Sequence, residues 1–345
     1  MRKIALVDYG KLELQEVEPI AKLEPGTVKV AVKACSICGS DIALYRGFRS
    51  LKDERYFGHE FSGVIVDAGA GDNGLKVGMH VASELSRTCG RCWNCQNGME
   101  NYCRSMNEAL LPGGFSAETL VLNTQDYSFL SPIPENLPFE VAALAEPVSC
   151  ALQIAKHANL QPCDSVTVFG LGAMGILSAL ILKSWGAGTV IGVDVNKPRL
   201  QKVGSLGIFD AVLDSTDENW LDQLYALVGP KGSDRIIEAT GVSAVLGNAF
   251  KAARPGGRIV VGSVYHGKAG DLELLPIMRK ELTVIGAKGP FPHRTSSGKS
   301  ATIQTVLQLK DELTKLISIY DYQDALRAFA DTKSGEAIKA VVRFN

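Results

Sequence analysis

Six short apolar segments in the second half of the chain alternate with stretches of helical length, and this alternation constrains the fold most strongly. Strands that alternate with helices along a chain pair in parallel, and the helices then cover both faces of the sheet. The sequence therefore predicts a doubly wound α/β domain. Its expected strands are VTVFG (166–170), TVIGVD (189–194), AVLD (211–214), RIIEATG (235–241), GRIVVGS (257–263) and LTVIGA (282–287).

The first 150 or so residues follow a different pattern and predict an irregular β-rich domain. Short apolar or alternating segments there lie between Gly, Pro and Asp. The segment from about residue 288 onward contains one helical stretch and a final strand that do not extend the βα repeat, so we assign it to the first domain. The expected organisation is a β-rich domain of residues 1–150 and 288–345 and a doubly wound α/β domain of residues 151–287.

A glycine-rich turn follows the first strand of the βα repeat. Gly170, Gly172 and Gly175 form the pattern G-x-G-x-x-G, in which the first glycine permits a tight turn, the second admits a pyrophosphate and the third lets helix and strand pack closely. The following helix would offer its N-terminal amides and its dipole to phosphate. Glycines also serve ordinary turns, but the position of this triplet between a strand and a helix favours dinucleotide binding.

An acidic residue, Asp194, ends the next strand at the position where a carboxylate accepts hydrogen bonds from an adenosine ribose. It would repel a 2′-phosphate, which favours NAD over NADP, although Lys197 and Arg199 follow closely and would partly offset that repulsion. The alternative interpretation of Asp194 is a cap at the end of the strand. The expected cofactor-binding residues are Gly170, Gly172, Met174, Gly175, Asp194, Arg199 and Thr240.

Four cysteines, Cys89, Cys92, Cys95 and Cys103, lie within one short segment with the spacing C-x2-C-x2-C-x7-C. Four thiolates so close together can enclose one tetrahedral zinc ion, and such a site is structural because it leaves no position for substrate. The alternative is a pair of disulfides, which a cytosolic location disfavours. We therefore expect a structural zinc whose binding energy stabilises the loop. The flanking aromatic residues are expected to pack that loop; they are Trp93 and Tyr102.

Composition and charge exclude several classes of function. The chain has 345 residues, with 36 Lys plus Arg against 37 Asp plus Glu, and no basic run of the kind that binds nucleic acid or anionic lipid. The N-terminus has no apolar signal region, and no stretch is long and apolar enough to span a bilayer. We expect a cytoplasmic protein of about two domains, with neither nucleic acid nor a membrane as a partner.

A second metal site is indicated by residues that lie far apart in the sequence. Cys38, His59, Glu60 and Glu146 supply one thiolate, one imidazole and two carboxylates, a mixture that suits zinc. Three protein ligands with one exchangeable position are typical of catalytic zinc. Taken one at a time these residues fit a packed core equally well. The remaining cysteines are interpreted as core thiols; they are Cys35, Cys150 and Cys163.

The order of five motifs, ICGSD, GHE, the four cysteines, EPVSCA and GLGAMG, resembles the zinc-dependent medium-chain dehydrogenase/reductase family over essentially the whole chain. Within it, the Glu-Pro pair at Glu146 is similar to the polyol (sorbitol-type) and threonine dehydrogenase branch. The resemblance implies a β-rich GroES-like catalytic domain joined to a Rossmann domain, with two zinc ions per chain and NAD. It also implies a homodimer or homotetramer.

The resemblance implies roles for individual residues. Cys38 and His59 would be constant zinc ligands, while Glu60 and Glu146 would share the remaining ligand position, which we leave open. Ser40 would hydrogen-bond the substrate hydroxyl and begin a proton relay; its alternative role is to cap a turn. Many relatives complete the relay with a histidine five residues after the zinc cysteine, where this chain has Ala43, so either water or a group such as Tyr45 would replace it.

The expected activity is hydride transfer between NAD and a secondary hydroxyl of a polyol, a sugar or sugar phosphate, or an aminocyclitol, with Ser40 and Glu60 as catalytic residues. One alternative is a redox-neutral epimerase that retains NAD, which the truncated relay makes conceivable. Another is an activity like that of L-threonine 3-dehydrogenase. A cofactor-binding protein without catalysis is disfavoured because the catalytic residues are present as a complete set.

Overall fold

The computed structural model describes residues 1–344 except 22, 24–25, 52–56, 70–73, 85–87, 106–112, 125–126, 129, 266–269 and 292–298. The chain divides into two compact units: Met1–Ser149 with Pro290–Asn345, and Cys150–Gly289. These boundaries lie within two residues of those expected from the sequence.

Strands dominate the start of the chain, and helices become more frequent after residue 139. The strands are β1 (Arg2–Asp8), β2 (Lys11–Glu16), β3 (Thr27–Ser36), β4 (Glu60–Ala68), β5 (His80–Ser83), β6 (Glu118–Thr124), β7 (Tyr127–Ser128), β8 (Leu130–Pro132), β9 (Ser165–Phe169), β10 (Thr189–Asp194), β11 (Ala211–Asp214), β12 (Ser233–Glu238), β13 (Ala253–Val261), β14 (Thr283–Gly286), β15 (Ile317–Asp321) and β16 (Lys339–Arg343). The helices are α1 (Gly39–Tyr45), α2 (Trp93–Gln96), α3 (Phe139–Ala142), α4 (Ala145–Ala158), α5 (Ala173–Ser184), α6 (Lys197–Gly204), α7 (Trp220–Val228), α8 (Ser243–Ala252), α9 (Leu275–Arg279), α10 (Ala301–Gln308), α11 (Lys310–Leu316) and α12 (Ala325–Ser334).

The unit Cys150–Gly289 contains a six-stranded parallel sheet in the order β11-β10-β9-β12-β13-β14. Numbered within the unit, this order is 3-2-1-4-5-6, the doubly wound arrangement of dinucleotide-binding proteins. All five residues of β9 are buried, as expected for a central strand covered on both faces. The predicted doubly wound domain is confirmed, and β10 and β11 span the residues that the sequence predicted.

The other unit is built on a mostly antiparallel sheet in the order β15-β16-β3-β4-β5-β8, with β6 on a second branch from β3. Phe115 lies in its core with its ring 4.7 Å from Phe57 and 5.3 Å from Phe329, which belongs to α12. Register brings three strand ends together, because Ser36 of β3 pairs with Glu60 of β4 on one side and Val341 of β16 on the other.

Among the described residues, no helix is both long enough and apolar enough to cross a lipid bilayer.

Candidate metal centres and cofactor site

The four cysteines of the loop converge, and each offers a sulfur within 4.8 Å of the other three. Cys95 Sγ lies 3.5 Å from Cys92 Sγ and 3.9 Å from Cys89 Sγ. Sulfurs around a tetrahedral zinc ion with the usual bond length of about 2.3 Å lie roughly 3.8 Å apart. All eight cysteines are free thiols, so the disulfide alternative is not realised. The donor set and its spacing fit one zinc ion.

Backbone amides hold the sulfurs of this loop. The Cys89 amide donates to Cys103 Sγ and the Cys92 amide to Cys89 Sγ, each at 3.2 Å. Amides of Arg104 and Cys95 lower the pKa of the Cys92 thiol to about 6. Burial raises the pKa of Cys95 to about 12 and also raises the pKa of Cys103. Two of the thiols therefore hold their protons near neutral pH until a metal displaces them.

A second cluster forms from Cys38, His59 and Glu60, whose candidate ligand atoms all lie within 4.8 Å of one another. Cys38 lies between β3 and α1, Glu60 is the first residue of β4, and His59 immediately precedes it. Because β3 and β4 pair with Ser36 opposite Glu60, the turn after one strand meets the beginning of the other. The sheet thus assembles a soft sulfur, an imidazole and a carboxylate, which is the ligand mixture of catalytic zinc.

Cys38 is the N-cap of α1, and Asp41 completes a reciprocal capping arrangement with it. The Ser40 amide donates to Cys38 Sγ at 3.4 Å, while the Cys38 amide donates to Asp41 Oδ2 at 2.8 Å. Asp41 is buried, and its Oδ1 accepts from the Gly58 amide and lies 3.9 Å from His59 Nδ1. One carboxylate therefore fixes the backbone of the cysteine and faces the ring of the histidine.

The electrostatics of the cluster favour a cation. Burial alone would lower the pKa of His59, but the anionic groups of Cys38, Glu146 and Asp41 hold it well above its usual value. Burial raises the pKa of Asp41 to about 6, although His59 opposes that shift. Negative groups that hold a proton on a buried imidazole also attract a divalent ion. Glu146, buried in the first turn of α4, contributes to this field but does not belong to the three-residue cluster.

Glu60 is fully buried and its two oxygens have different surroundings. Oε2 accepts hydrogen bonds from the Ser36 hydroxyl and the Lys339 ammonium. Oε1 is buried and has no hydrogen-bond partner within the described part of the chain. A buried carboxylate oxygen without a donor is costly unless a ligand or a metal ion satisfies it. This oxygen, beside a thiolate and an imidazole, fits a metal ion.

The three glycines of the cofactor turn meet three different surroundings. Gly170 has φ +92°, and a side chain there would collide with Ala239 and Thr240. A Cβ at Gly175 would lie 2.0 Å from the Gly170 carbonyl oxygen, whereas a Cβ at Gly172 would meet open space. Gly172 is also the N-cap of α5, without a side-chain cap. The turn therefore leaves room and amide donors where a pyrophosphate would bind.

Asp194 is buried and holds the turn together. Its Oδ2 accepts from the Leu171 amide at 2.8 Å and from the Arg199 guanidinium at 3.2 Å. Its Oδ1 accepts from the amides of the two residues that follow it. The strand-end cap and the cofactor-binding interpretation are thus compatible, since the carboxylate fixes the glycine turn and lies at its edge. Arg199 is partly exposed and reaches this position from α6.

Two other expected cofactor residues lie near the same edge of the sheet. Met174 is half-buried in the first turn of α5. Thr240 follows β12, and both its amide and its hydroxyl donate to the buried Glu238, which also accepts from the Tyr265 hydroxyl. The carboxyl ends of β9 and β12 flank the point where strand order reverses, the usual place for a nucleotide in this fold.

Comparison with known proteins gives the same family over both units. Residues 24–135 match the family model of the alcohol dehydrogenase GroES-like domain, and residues 173–309 match that of the zinc-binding dehydrogenases. D-xylulose reductase A from Aspergillus oryzae is 34% identical over 339 residues, which cover 95% of this chain and 92% of that protein.

This chain belongs to the zinc-dependent medium-chain dehydrogenase family. Its fold is similar to that of 2R,3R-butanediol dehydrogenase from Bacillus subtilis, with a TM-score of 0.82, 29% identity and coverage of 100% and 99% of the two chains. The fold is also similar to that of an alcohol dehydrogenase from E. coli CFT073, solved with NADH, with a TM-score of 0.81, 26% identity and the same coverage of the two chains. The predicted fold class and family are confirmed: the protein is a zinc-dependent dehydrogenase of a family that uses nicotinamide dinucleotides.

Sequence reasoning missed two residues of this dehydrogenase. Asp41 stands three residues after Cys38, the spacing of a capping box, and that spacing was a usable signal. Lys339 is a charged residue in an otherwise apolar final strand, and it is only 4% exposed. A lysine is almost never fully buried without a partner, so its place in that strand indicated a buried anion. Only the strand register shows that this anion is Glu60.

Two expectations about surroundings are wrong. Cys163 is exposed, at a positive-φ turn, and Cys150 is only half-buried, so of the three supposed core thiols only Cys35 is one. Trp93 and Tyr102 do not form a core for the cysteine loop, because they are 61% and 49% exposed. The loop is too short to enclose large rings, and the sulfurs themselves occupy its interior.

Proposed function

We propose that the protein oxidises a secondary hydroxyl of a polyol, sugar or related compound to a ketone with NAD, at the cluster of Cys38, His59 and Glu60. The observation that carries this proposal is the buried mixed-ligand cluster, which contains a carboxylate oxygen with no hydrogen-bond partner among the residues that the structure describes. It occurs in a chain that also carries an open glycine turn for a dinucleotide.

Cys38 and His59 would hold the ion, with Glu60 or Glu146 as the third protein ligand. A zinc ion bound there supplies Lewis acidity, which lowers the pKa of a hydroxyl and polarises a carbonyl. Asp41 would keep His59 in the orientation and the tautomer needed for binding, as partners of metal-binding histidines commonly do. The loop of four cysteines would hold a second ion with a structural role only.

The Ser40 hydroxyl would accept the proton that leaves the substrate. It lies two residues beyond Cys38, on the first turn of α1, and is half-buried. Ala43 gives α1 no second proton carrier at the position of the missing histidine. The Tyr45 ring packs 6.3 Å from Phe329 with the Lys333 ammonium 5.8 Å from its centre. Since Tyr45 is engaged with α12 in this way, we infer that water takes the proton from Ser40.

On the cofactor side, Gly172 and the amides at the start of α5 would bind the pyrophosphate. Asp194, and Arg199 beside it, would bind the adenosine ribose. NAD supplies the hydride acceptor. The carboxylate at Asp194 disfavours a 2′-phosphate, which supports NAD over NADP.

The named relatives narrow the substrate class. D-xylulose and 2R,3R-butanediol, which the names of two relatives specify, both carry a reacting oxygen next to a second oxygen-bearing carbon. We therefore propose that this dehydrogenase prefers vicinal diols and α-hydroxyketones over isolated alcohols. A ligand of that shape offers one oxygen to the metal and another to neighbouring polar groups.

A substrate panel tests this function. Xylitol, other alditols, 2,3-butanediol, aminocyclitols, sugar phosphates, L-threonine and a simple secondary alcohol are compared by NADH absorbance, with product stereochemistry determined in parallel. We expect stoichiometric NADH with vicinal diols and loss of turnover after chelation, reversed by added zinc. Turnover that survives complete metal removal would rule out the metal's role, and epimerised product without free NADH would instead select the redox-neutral alternative.

The role of Asp194 is tested by changing the cofactor. Asp194→Ala should raise the ratio of NADP to NAD catalytic efficiency by about tenfold or more, because a buried charge that repels a 2′-phosphate is removed while Arg199 stays. It should also lower stability by about 1–3 kcal/mol, since the Leu171 amide loses its acceptor. Asp194→Asn removes the same charge but keeps an acceptor on one side, either for the Leu171 amide or for the amides of Val195 and Asn196, and is the matched comparison. An unchanged ratio in both variants would remove Asp194 from cofactor selection.

We infer that the protein forms a homo-oligomer through β14. Within the described part of the chain, this strand is an edge of the parallel sheet, whereas β13 lies between β12 and β14. Val284 on β14 and Met278 on the preceding α9 are 40% and 69% exposed. Sedimentation of Val284→Lys against wild type tests this, with dissociation expected in the variant.

The free state of all eight cysteines is what a reducing compartment would produce, and it supports a cytoplasmic location. Fractionation of cells that express the full chain tests the location.

A further inference from the structure

Lys339 is a buried lysine whose ammonium group contacts the candidate metal cluster. It lies at the first position of β16 and is 4% exposed. Its Nζ donates to the Ile37 carbonyl oxygen at 3.0 Å and forms an ion pair with Glu60 Oε2. Those two partners are the residue before Cys38 and the residue after His59, so one ammonium group joins both segments that carry candidate ligands.

Strand register places Lys339 there. Ser36 of β3 lies opposite Val341, and Lys339, two residues before Val341, shares its face of the sheet. On the other side Ser36 lies opposite Glu60. The Ser36 hydroxyl and the Lys339 ammonium therefore reach the same carboxylate from neighbouring strands. Glu60 Oε2 has two donors and Oε1 has none in the part of the chain that the structure describes.

The charges of this cluster affect how strongly Glu60 can bind a metal ion. Cys38, Glu60 and Glu146 bring three negative charges when ionised, and the Asp41 carboxylate beside His59 adds a fourth, which is two more than a divalent ion neutralises. Lys339 offsets one of these buried charges, and an uncompensated buried charge is costly. A carboxylate already paired with an ammonium is also a weaker ligand, because its charge is shared.

We propose that Lys339, assisted by Ser36, is a positioning residue that holds one oxygen of Glu60 and so keeps Glu60 an exchangeable ligand rather than a permanent one. This inference rests on the proposed function, since it assumes that the cluster holds the catalytic ion. Without Lys339, the Glu60 carboxylate would bind the ion with its full charge and would occupy the coordination position that the substrate needs.

The test is the visible spectrum of the cobalt(II)-substituted full-length protein, because the intensity of cobalt d–d bands falls when a further ligand binds. Wild type, Lys339→Met, Glu60→Gln and the double variant Lys339→Met with Glu60→Gln are compared as difference spectra, so that the constant contribution of the cysteine loop cancels. Lys29→Met is the matched control, since Lys29 is a half-buried lysine of the same unit that donates to the Ile20 carbonyl at 3.1 Å.

We expect weaker d–d bands in Lys339→Met, slower loss of metal to a chelator, and kcat lower by about 10- to 100-fold, the usual range for partners of metal ligands. Lys29→Met should match wild type. The double variant should match Glu60→Gln, because Lys339 has no ligand left to restrain. Ser36→Ala should change the spectrum in the same direction by a smaller amount.

Three results would overturn the inference: wild-type bands in Lys339→Met, faster metal loss in that variant, or a double variant that differs from Glu60→Gln. If Lys339→Met does not fold, the double variant and Ser36→Ala still decide, and an unchanged spectrum in Ser36→Ala then refutes the inference. Failure of the proposed function is a separate result, namely wild-type protein without zinc-dependent NADH formation. The cobalt spectra remain readable in that case.

Discussion

The cysteine loop and the Cys38 cluster are two candidate metal sites in one unit that are built in opposite ways. The loop takes all its ligands from Cys89–Cys103, and backbone amides hold its sulfurs. The Cys38 cluster takes ligands from separate strand ends and depends on side chains, Asp41 beside His59 and Lys339 beside Glu60. A closed site built from local backbone needs little from the rest of the fold, whereas an open site needs outside partners to hold its ligands while one position stays exchangeable.

The largest expected effects come from removing one sulfur from each site. Cys92→Ser should lower the free energy of unfolding by more than about 4 kcal/mol, because the loop depends on the metal to fold. This corresponds to roughly 8–16 °C in melting temperature for a unit of about 200 residues. Cys38→Ser should leave melting nearly unchanged but lower kcat by on the order of a thousandfold, as several kcal/mol of Lewis-acid stabilisation are lost.

Calorimetry and steady-state kinetics on the same two preparations measure both effects, and zinc analysis verifies that each variant has lost about one ion. The distinction between the sites would be broken by similar melting losses in the two variants, or by full activity in Cys38→Ser.

The second prediction concerns protons at the loop. Cys95 and Cys103 have raised pKa values, so without metal they are protonated near pH 7, and zinc must displace both protons. Cys92, with a pKa of about 6, is already ionised there. Zinc affinity should therefore rise with pH and fall as pH is lowered, by about tenfold per displaced proton and pH unit, hence at least about a hundredfold per unit.

Chelator competition between about pH 7 and pH 8 measures this slope. Cys38→Ser is the suitable background, because only the loop then binds zinc tightly. A slope below tenfold per pH unit would show that the loop thiols are ionised before the metal arrives, and that the loop is preorganised more fully than its burial indicates.

Asp41→Asn should act on the open cluster alone. Asn keeps an acceptor for only one of the two amides, that of Cys38 or that of Gly58, and loses the charge that faces His59. Metal affinity of the open site should fall by about 10- to 100-fold. Dialysis against a weak chelator followed by metal analysis should leave about one zinc ion per chain instead of two. Equal loss from both sites would contradict the idea that only the open cluster depends on outside side chains.

The difference between a site built from local sequence and one assembled from separate strands also explains what the sequence could predict. The parallel sheet follows from local periodicity, so β10 and β11 were predicted to the residue, and the loop follows from cysteine spacing alone. Cys38, His59 and Glu60 could be named as ligand types, but their convergence depends on the pairing of Ser36 with Glu60. Their partner Lys339 is 302 residues from the Ile37 carbonyl that it binds, and no local pattern specifies that contact.

The sequence also could not show that the carboxylates of Glu60 and Glu146 have different surroundings. Both are acids beside apolar residues, and both proved to be buried. Only the tertiary structure shows that Glu60 has one oxygen held by donors and one with no partner in the described ranges, while Glu146 lies outside the three-residue cluster. Burial of aromatic residues next to the cysteines was predicted wrongly for a related reason, because adjacency in sequence does not provide a surface to pack against.

The smallest expected effect is that of Trp93→Ala, which tests whether the loop has any apolar core of its own. Trp93 is 61% exposed, and the main-chain carbonyl that accepts from Asn97 survives the substitution. In zinc-loaded protein the unfolding free energy should change by less than about 0.5 kcal/mol. Phe115→Ala is the control from the core beside the open cluster: Phe115 is 2% exposed, so its loss should cost about 3–5 kcal/mol. Melting curves of the two variants measure the contrast. If Trp93→Ala lowered the unfolding free energy as much as Phe115→Ala, side-chain packing would stabilise the loop as much as its four sulfurs do. The two candidate metal sites would then differ less in construction than their ligands suggest.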